Sequence, residues 1–289
     1  MIRKGIILAG GRGTRMSPLT KAVNKQLLPL YDKPLIFYPL SILMLAGIKN
    51  ILIIVNKGQL NQFRKILPEK NNLGIKIEYK EQLKPAGLPQ AFTIGEKFIG
   101  KDNVCMILGD NFFYGQSLTK ILKKNSNFKL GAKIFLHPVK KPQNYGVAFL
   151  NNKNKVVRLI EKPKKTNSNL AVTGLYFFDN KVIELSKKLR PSKRGELEII
   201  DLLNRYKIKN KLKAELIGRG GAWLDTGNVK DYYNASNFIS TIESRQGLKI
   251  ACLEEIAFNN GWIKKSDILE SVKFYGNCDY SKYLKSILA

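Results

Sequence analysis

A chain of 289 residues is long enough for one large α/β domain, alone or with appendages. Its formal net charge of +28 admits nucleic acid, anionic surfaces or phosphate-rich substrates as partners; but the lysines are scattered and not interleaved with aromatics, which argues against nucleic-acid binding and for an ordinary lysine-coated enzyme surface. Three separated cysteines and a single histidine argue against a disulfide framework, a zinc site and a histidine base, and no apolar run approaches the ~18 residues of a membrane span, so a reducing cytoplasm is the expected compartment.

The first element is a buried strand at Ile6–Ala9, running into the glycine-rich turn Gly10-Gly11-Arg12-Gly13-Thr14-Arg15. Such a turn exposes backbone N–H groups that cradle phosphate oxygens; its three glycines allow positive φ and close approach, and Arg12 and Arg15 add charge. It fits neither the Walker loop nor the dinucleotide fingerprint, so by itself it also suits a tight strand–helix turn with no ligand. A helix is expected from Pro34 to a stop at Gly47, with a strand at Ile51–Val55 after it. A helix near Gln59–Leu67, a strand at Ile75–Tyr79, a loop over Lys80–Leu88 and a helix over Pro89–Phe98 come next. Val104–Leu108 is another apolar strand, ending in Gly109-Asp110-Asn111. This alternation predicts a mainly parallel sheet with helices on both faces and a ligand site outside the carboxyl ends of its strands, which would bring the glycine turn and Asp110 together.

The second half reads differently. Strands near Leu130–His137, Val147–Leu150, Val156–Ile160 and Thr173–Phe178 suggest antiparallel additions, helices are expected over Asn180–Leu189 and Glu196–Tyr206, and a strand near Leu212–Ile217 precedes Trp223-Leu224-Asp225-Thr226-Gly227. From Val229 on the pattern is mostly helical. Asp110 and Asp225 each sit beside glycine at the end of an apolar stretch; two such carboxylates can share Mg²⁺, although either alone also suits a turn or cap. Glu161-Lys162 at a strand end can hold sugar hydroxyls and an anion, or be a surface ion pair of little worth. The acids of Arg194-Gly195-Glu196-Leu197-Glu198-Ile199 suit a helix first turn, which leaves Arg194 free. Together these groups suit nucleotidyl transfer: an attacking phosphate oxygen is already ionised, so the work is alignment and charge neutralisation, with no histidine needed.

Leu8–Arg15 followed by Lys25-Gln26-Leu27-Leu28-Pro29 resembles the signature of the sugar-1-phosphate nucleotidylyltransferase family. Leu108–Asn111, Tyr145-Gly146-Val147, Glu161-Lys162-Pro163, Val172–Tyr176, Arg194–Ile199, Trp223–Gly227 and the stretches Glu243–Lys249 and Cys252–Ala257 are similar to its short-type glucose-1-phosphate thymidylyltransferases. The resemblance implies a Rossmann-like three-layer α/β/α nucleotidyltransferase fold with a mixed, mainly parallel central sheet. Residues 1–227 would form the core, with nucleotide binding in 1–111 and sugar-phosphate binding in 112–227. Residues 228–289 would be a helical extension serving oligomerisation and regulation.

The resemblance also assigns roles. Arg15, Lys25 and Lys162 would be catalytic. Leu8, Gly10, Gly11, Gly13, Thr14, Arg15, Lys25, Gln26, Gln82, Gly87 and Asp110 would bind the nucleotide. Tyr145, Gly146, Glu161, Lys162, Val172, Tyr176 and Arg194 would bind the sugar phosphate, and Asp110 and Asp225 the Mg²⁺. Tyr114, Gly115, Arg219, Cys252, Glu255 and Ile256 would remain of a second, regulatory nucleotide site. The implied reaction joins dTTP and α-D-glucose 1-phosphate into dTDP-glucose and pyrophosphate, the first step toward dTDP-L-rhamnose, in a cytoplasmic homotetramer with no nucleic-acid or membrane partner. Ala86 and Pro89 stand where the family usually has Asp and Ala, which keeps UTP open as the nucleotide; a non-catalytic nucleotide-sugar sensor is the alternative of another class.

Overall fold

The computed structural model describes residues 2–11 and 13–289; Arg12, read above as a phosphate-loop cation, lies outside them. Strands Lys4–Ala9, Asn50–Asn56, Lys76–Gln82 and Val104–Leu108 form the parallel half of a nine-stranded sheet. Side chains alternate along them between two cores. Ile7, Ala9, Ile51, Ile53, Val55, Cys105 and Ile107 face one apolar cluster, and Ile6, Leu8, Leu52, Ile54, Val104 and Met106 face the other. A strand covered on both sides must be apolar throughout, which is why the inner strands read as unbroken hydrophobic runs, whereas the edge strand Lys76–Gln82 is largely polar.

The second half joins the same sheet. Strand Leu170–Phe178 runs antiparallel to Val104–Leu108, and Ala132–Pro138, Gly146–Leu150 and Val156–Glu161 extend the antiparallel edge, with Leu212–Leu216 returning parallel to Ala132–Pro138. Helices Val229–Gln246, Leu253–Asn259, Lys265–Tyr275 and Asp279–Ser286 complete the chain.

Local hydrogen bonding moved several expected boundaries. The helix expected from Pro34 begins at Phe37, because Lys33–Pro34 is held extended by pairing with Pro29–Leu30; the amides of Leu35 and Ile36 bond the carbonyls of Leu28 (3.0 Å) and Gln26 (2.8 Å). The strand expected over Ile75–Tyr79 runs to Gln82, so Lys80–Gln82 is strand, not loop. The helix expected over Pro89–Phe98 is two short ones, Gln90–Ile94 and Glu96–Ile99, meeting at Gly95. The helix expected from Glu196 starts at Ile199, since Leu197 is stitched to the Ala86–Gly87 loop and Glu198 is bonded to Arg194 and Ser192. Among the elements not foreseen are helix Leu118–Ser126, the short Pro29–Leu30 and Lys33–Pro34 pair, and the antiparallel ribbon of Asn111–Gly115 with Gly221–Asp225.

Candidate active site

A cavity of about 340 Å³ opens at the carboxyl ends of the parallel strands. Leu8, Gly10, Gly11, Arg15, Gln26, Gln82, Gly87 and Asp110 line it on one side; Tyr145, Gly146, Glu161, Lys162, Val172, Tyr176 and Arg194 line it on the other, with Asp225 between. Two groups of residues read from distant motifs thus share one space. Lys25 lines an adjoining cavity of about 300 Å³ that shares Gly11, Gln82 and Pro85 with the first. Gly13 and Thr14 line neither; Gly13, at φ +60°, precedes the short turn Thr14–Met16 and its carbonyl accepts the Thr20 hydroxyl at 2.8 Å.

The glycine turn is held from below by Asn56, at the end of its own strand. Its side chain accepts from the Gly11 N–H at 3.0 Å and donates to the Gly11 carbonyl at 2.8 Å. Gly11 takes φ +103°, which a side chain disfavours. Gly10 does not take the positive φ expected of it; it lies against the Gln82 carboxamide, whose oxygen a Cβ there would displace.

Asn24 places Lys25. Its side chain caps the turn Lys25–Leu27 by accepting from the Gln26 N–H at 2.8 Å and donates to the Ala9 carbonyl at 3.2 Å. The Lys25 ammonium reaches the Asp110 carboxylate, and Asn111 donates to the other Asp110 oxygen at 3.1 Å. The Asn111 carbonyl oxygen accepts from Trp223 Nε1 at 2.6 Å and from the Gly174 N–H at 3.0 Å. The ribbon pairs Asp225 with Asn111, and both the N–H and the hydroxyl of Thr226 donate to the Asp110 carbonyl.

The two aspartates consequently differ. Burial opposes ionisation of Asp110, but the Lys25 charge and hydrogen bond overcome it and hold the carboxyl below its ordinary range. Burial and the neighbouring Asp110 charge push Asp225 up to about 7, against the pull of Lys25 and Arg15. The Arg15 guanidinium packs where a Cβ on Gly227 would be only 2.7 Å from it, so Gly227 makes room for it beside Asp225. Two close carboxylates that cannot both ionise comfortably are a donor set that calls for a cation, and hard oxygen donors suit a divalent ion completing its shell with phosphate oxygens and water. No cluster of three or more such metal-ligating side chains occurs among the described residues.

On the opposite wall, Glu161 ends strand Val156–Glu161, opposite Gly146 on its partner strand. A Cβ on Gly146 would lie 2.6 Å from Ile200 Cδ1, so a larger residue there would have to displace the Ile200 side chain. Burial and the Glu198 charge raise the Glu161 carboxyl, while Lys162 and Arg194 pull it back. Arg194 donates to Glu198 at 2.7 Å and to Glu161 at 3.1 Å. Lys162 takes φ +41°, a left-handed conformation rare for a lysine, with its N–H bonded to the Tyr145 carbonyl at 3.1 Å. Its ammonium is 3.9 Å from Glu161.

Gly87 seals the two walls. It sits at φ +105°, the Leu197 N–H donates to the Ala86 carbonyl at 2.8 Å, and a Cβ on Gly87 would collide with the Leu197 backbone. Gly87→Ala should therefore cost about 2 kcal/mol or more and lower Tm by ~5 °C, measured by thermal melting.

Of the residues expected at a regulatory site, Tyr114 and Gly115 pair with Ala222 and Gly221 in the ribbon, close after Arg219. Cys252 is buried at the start of helix Leu253–Asn259, and Glu255 accepts from the Tyr283 hydroxyl at 2.7 Å. Strand and helix both pack against helix Phe37–Leu45. His137, expected as a strand-end structural residue, lies on strand Ala132–Pro138, its ring edge-on to Trp223.

Asn24, Asn56, Gln90 and Gly227 were given no role of their own from the sequence, Asn111 was quoted only beside Asp110, and Glu198 was read as a helix-start acid. Asn24 before Lys25 carried a readable cap signal; Asn56, Asn111 and Gly227 act through partners far along the chain, whereas Gln90 and Glu198 act on near neighbours.

The pattern that defines the nucleotidyl transferase family matches residues 4–242. The chain is 49% identical over 285 residues to the glucose-1-phosphate thymidylyltransferase of Neisseria meningitidis serogroup A, covering 99% of each chain. It is 44% identical over 285 residues to that of Mycobacterium tuberculosis, again covering 99% of each. A Bacillus anthracis crystal structure described as a glucose-1-phosphate thymidylyltransferase in complex with a sucrose superimposes with a TM-score of 0.75 at 38% identity, over 81% of this chain and 94% of that one. UDP-glucose pyrophosphorylase complexed with UDP-glucose superimposes at 0.72 with 26% identity, over 84% of this chain and all of the other.

Proposed function

The chain belongs to the nucleotidyl transferase family and to its glucose-1-phosphate thymidylyltransferase branch, and on that premise we propose that it joins dTTP to α-D-glucose 1-phosphate, giving dTDP-glucose and pyrophosphate. The observation that carries this reading is the single cavity shared by the glycine turn and aspartate pair on one wall and Glu161, Lys162 and Arg194 on the other. A nucleotide and a sugar phosphate bound side by side there would meet near Asp110 and Asp225.

A phosphate oxygen of glucose 1-phosphate attacks the α-phosphorus of dTTP. The new P–O bond forms as the bond from the α-phosphorus to the bridging oxygen of pyrophosphate breaks, and pyrophosphate leaves with the electron pair. No proton need move, so no general base is required. Lys162 and Arg194 bind the incoming phosphate, Glu161, Gly146 and Val172 the sugar, and Gln26, Gln82 and Gly87 the nucleoside. Lys25 stabilises charge at the α-phosphate and Arg15 at the departing pyrophosphate. Asp110 and Asp225 fit Mg²⁺, which when bound neutralises phosphate charge.

The raised Asp225 carboxyl gives a pH prediction. Below about 7 a proton competes for it, so apparent affinity for a divalent cation should fall about tenfold per pH unit there and level off above. Mn²⁺ titration between pH 5.5 and 8.5 checks this; a flat profile would contradict it.

A matrix of dTTP, UTP, CTP, ATP and GTP against hexose 1-phosphates, read by pyrophosphate release, tests the reaction. Release from dTTP only with glucose 1-phosphate is expected, and no turnover anywhere would leave only a nucleotide-sugar sensor. UTP is the competing substrate to compare directly, given the UDP-glucose relative. The cytoplasm, a role at the start of dTDP-L-rhamnose synthesis, a homotetramer and a second nucleotide site toward helix Leu253–Asn259 are part of the same reading. No helix among the described residues is long and apolar enough to cross a membrane.

A further inference from the structure

Gln26 and Gln82 both line the cavity, each only 3% exposed. Gln26 Oε1 is buried without a donor among the described residues, and Gln82 Oε1 lies directly over Gly10. A carboxamide can turn by half a rotation and exchange acceptor for donor, so something must decide which end Gln82 presents.

Gln90 does. Its Oε1 accepts from Gln82 Nε2 at 2.6 Å and from the backbone N–H of Ala86 at 3.0 Å. A backbone N–H can only donate, which fixes Gln90 with its oxygen toward Ala86. That oxygen can only accept, which fixes Gln82 with Nε2 toward Gln90 and Oε1 over Gly10. Turning Gln82 alone would set two carbonyl oxygens face to face; turning both would set the Gln90 amino group against the Ala86 N–H. Either mismatch, partly shielded from water, is costly. The polarity of one peptide group is thereby relayed through two side chains into the cavity. Gly87 lines the same cavity, and its N–H has no acceptor among the described residues.

We propose that Gln90 is a positioning residue that, through Gln82, selects the nucleotide base: a pyrimidine whose N3 carries a hydrogen, as in uracil and thymine, against cytosine. The fixed acceptor of Gln82 and the donor of Gly87, lining one cavity, complement the N3–H and O4 edge of those two bases. They oppose the cytosine edge, where N3 is an acceptor and the exocyclic nitrogen a donor. The inference rests on the nucleotide reading of this cavity and goes beyond it by naming what sets the choice.

The test is kcat/KM for dTTP, UTP and CTP, each with glucose 1-phosphate, in the unaltered protein, Gln90→Glu and Gln90→Leu. The unaltered protein should reject CTP by roughly 100-fold or more. Gln90→Glu still offers an oxygen that only accepts, so the ratio should stay within about threefold. Gln90→Leu frees Gln82 to turn, and the ratio should narrow at least about tenfold. A residue that merely supports the loop would lower all three nucleotides together and leave the ratio unmoved. Gln90→Met, of the same length, replaces the leucine variant should that variant fail to fold. An unchanged ratio in a folded Leu or Met variant, or a lost ratio in Gln90→Glu, overturns the proposal while transfer from dTTP persists. Transfer from no nucleotide by the unaltered protein overturns the functional reading itself, and this inference with it.

Discussion

Lys162→Ala is expected to lower kcat/KM for glucose 1-phosphate by about 10³-fold while leaving the dissociation constant for dTTP within a few-fold. The reason lies in how the two cations of the sugar-phosphate wall are engaged. Arg194 is already spent on Glu198 at 2.7 Å and Glu161 at 3.1 Å, a pairing that holds it in place but satisfies much of its charge. The Lys162 side chain is 49% exposed and its ammonium has Glu161 only at 3.9 Å, the edge of ion-pair range. Of the two it is the less engaged, so it meets an incoming dianion with more of its charge than Arg194 does. Its backbone is held at φ +41°, a conformation the flanking Glu161 strand end and the Tyr145 carbonyl maintain against its intrinsic cost. That aims the side chain from a fixed base, so Lys162→Arg, with a longer planar head, should recover little of the rate. Steady-state kinetics with each substrate varied, beside calorimetric dTTP binding, checks this. An equal loss for both substrates would mean that the cavity had collapsed rather than lost one contact.

The same two walls show what a sequence discloses. Strands Lys4–Ala9, Asn50–Asn56 and Val104–Leu108 were plain because burial on both faces forces an unbroken apolar run, and residues just past their ends, Gly10 and Asp110, were therefore marked as site candidates. The rule that such sheets bind ligands outside the carboxyl ends of their strands set Gly10 beside Asp110, while Glu161 and Lys162 were joined to them through the chemistry of nucleotidyl transfer and the family resemblance. The ribbon that sets Asp225 against Asn111 was not legible: its strands are short and glycine-bearing, and their pairing spans 110 residues of chain. Pro34 and Glu196 each carried a local helix-start signal that lost to particular hydrogen-bonded pairings, of Lys33–Pro34 with Pro29–Leu30 in one case and at Leu197 and Glu198 in the other. The polarity relay through Gln90 has no sequence signature, since it needs Ala86, Gln82 and Gln90 in contact, and spacing alone does not give that.

Asp225→Asn should reduce turnover by about 10³-fold or more and yet raise the melting temperature of the metal-free protein at pH 8. The two effects have one origin. Burial and the Asp110 charge hold the Asp225 carboxyl up near 7, well above its unfolded value, so the fold favours the protonated form. For an acid shifted upward, the native state carries no penalty at low pH, where both states are protonated. The penalty grows as pH rises past the unfolded value and is complete above the folded one. At pH 8 the native protein therefore bears the cost of a second carboxylate beside Asp110, and an uncharged amide of the same shape removes it. The gain in melting temperature should shrink as pH falls and vanish below about 4. Mg²⁺ or Mn²⁺ should stabilise the unaltered protein and do so far less for the variant, reversing their order at saturating metal. Melting curves across pH, with and without metal, separate this from a packing effect, which would shift the temperature equally at every pH. A variant less stable at pH 8 without metal would mean that the carboxylate pair is not held apart from its preferred charge. The strain that makes the site a cation trap would then have to reside elsewhere.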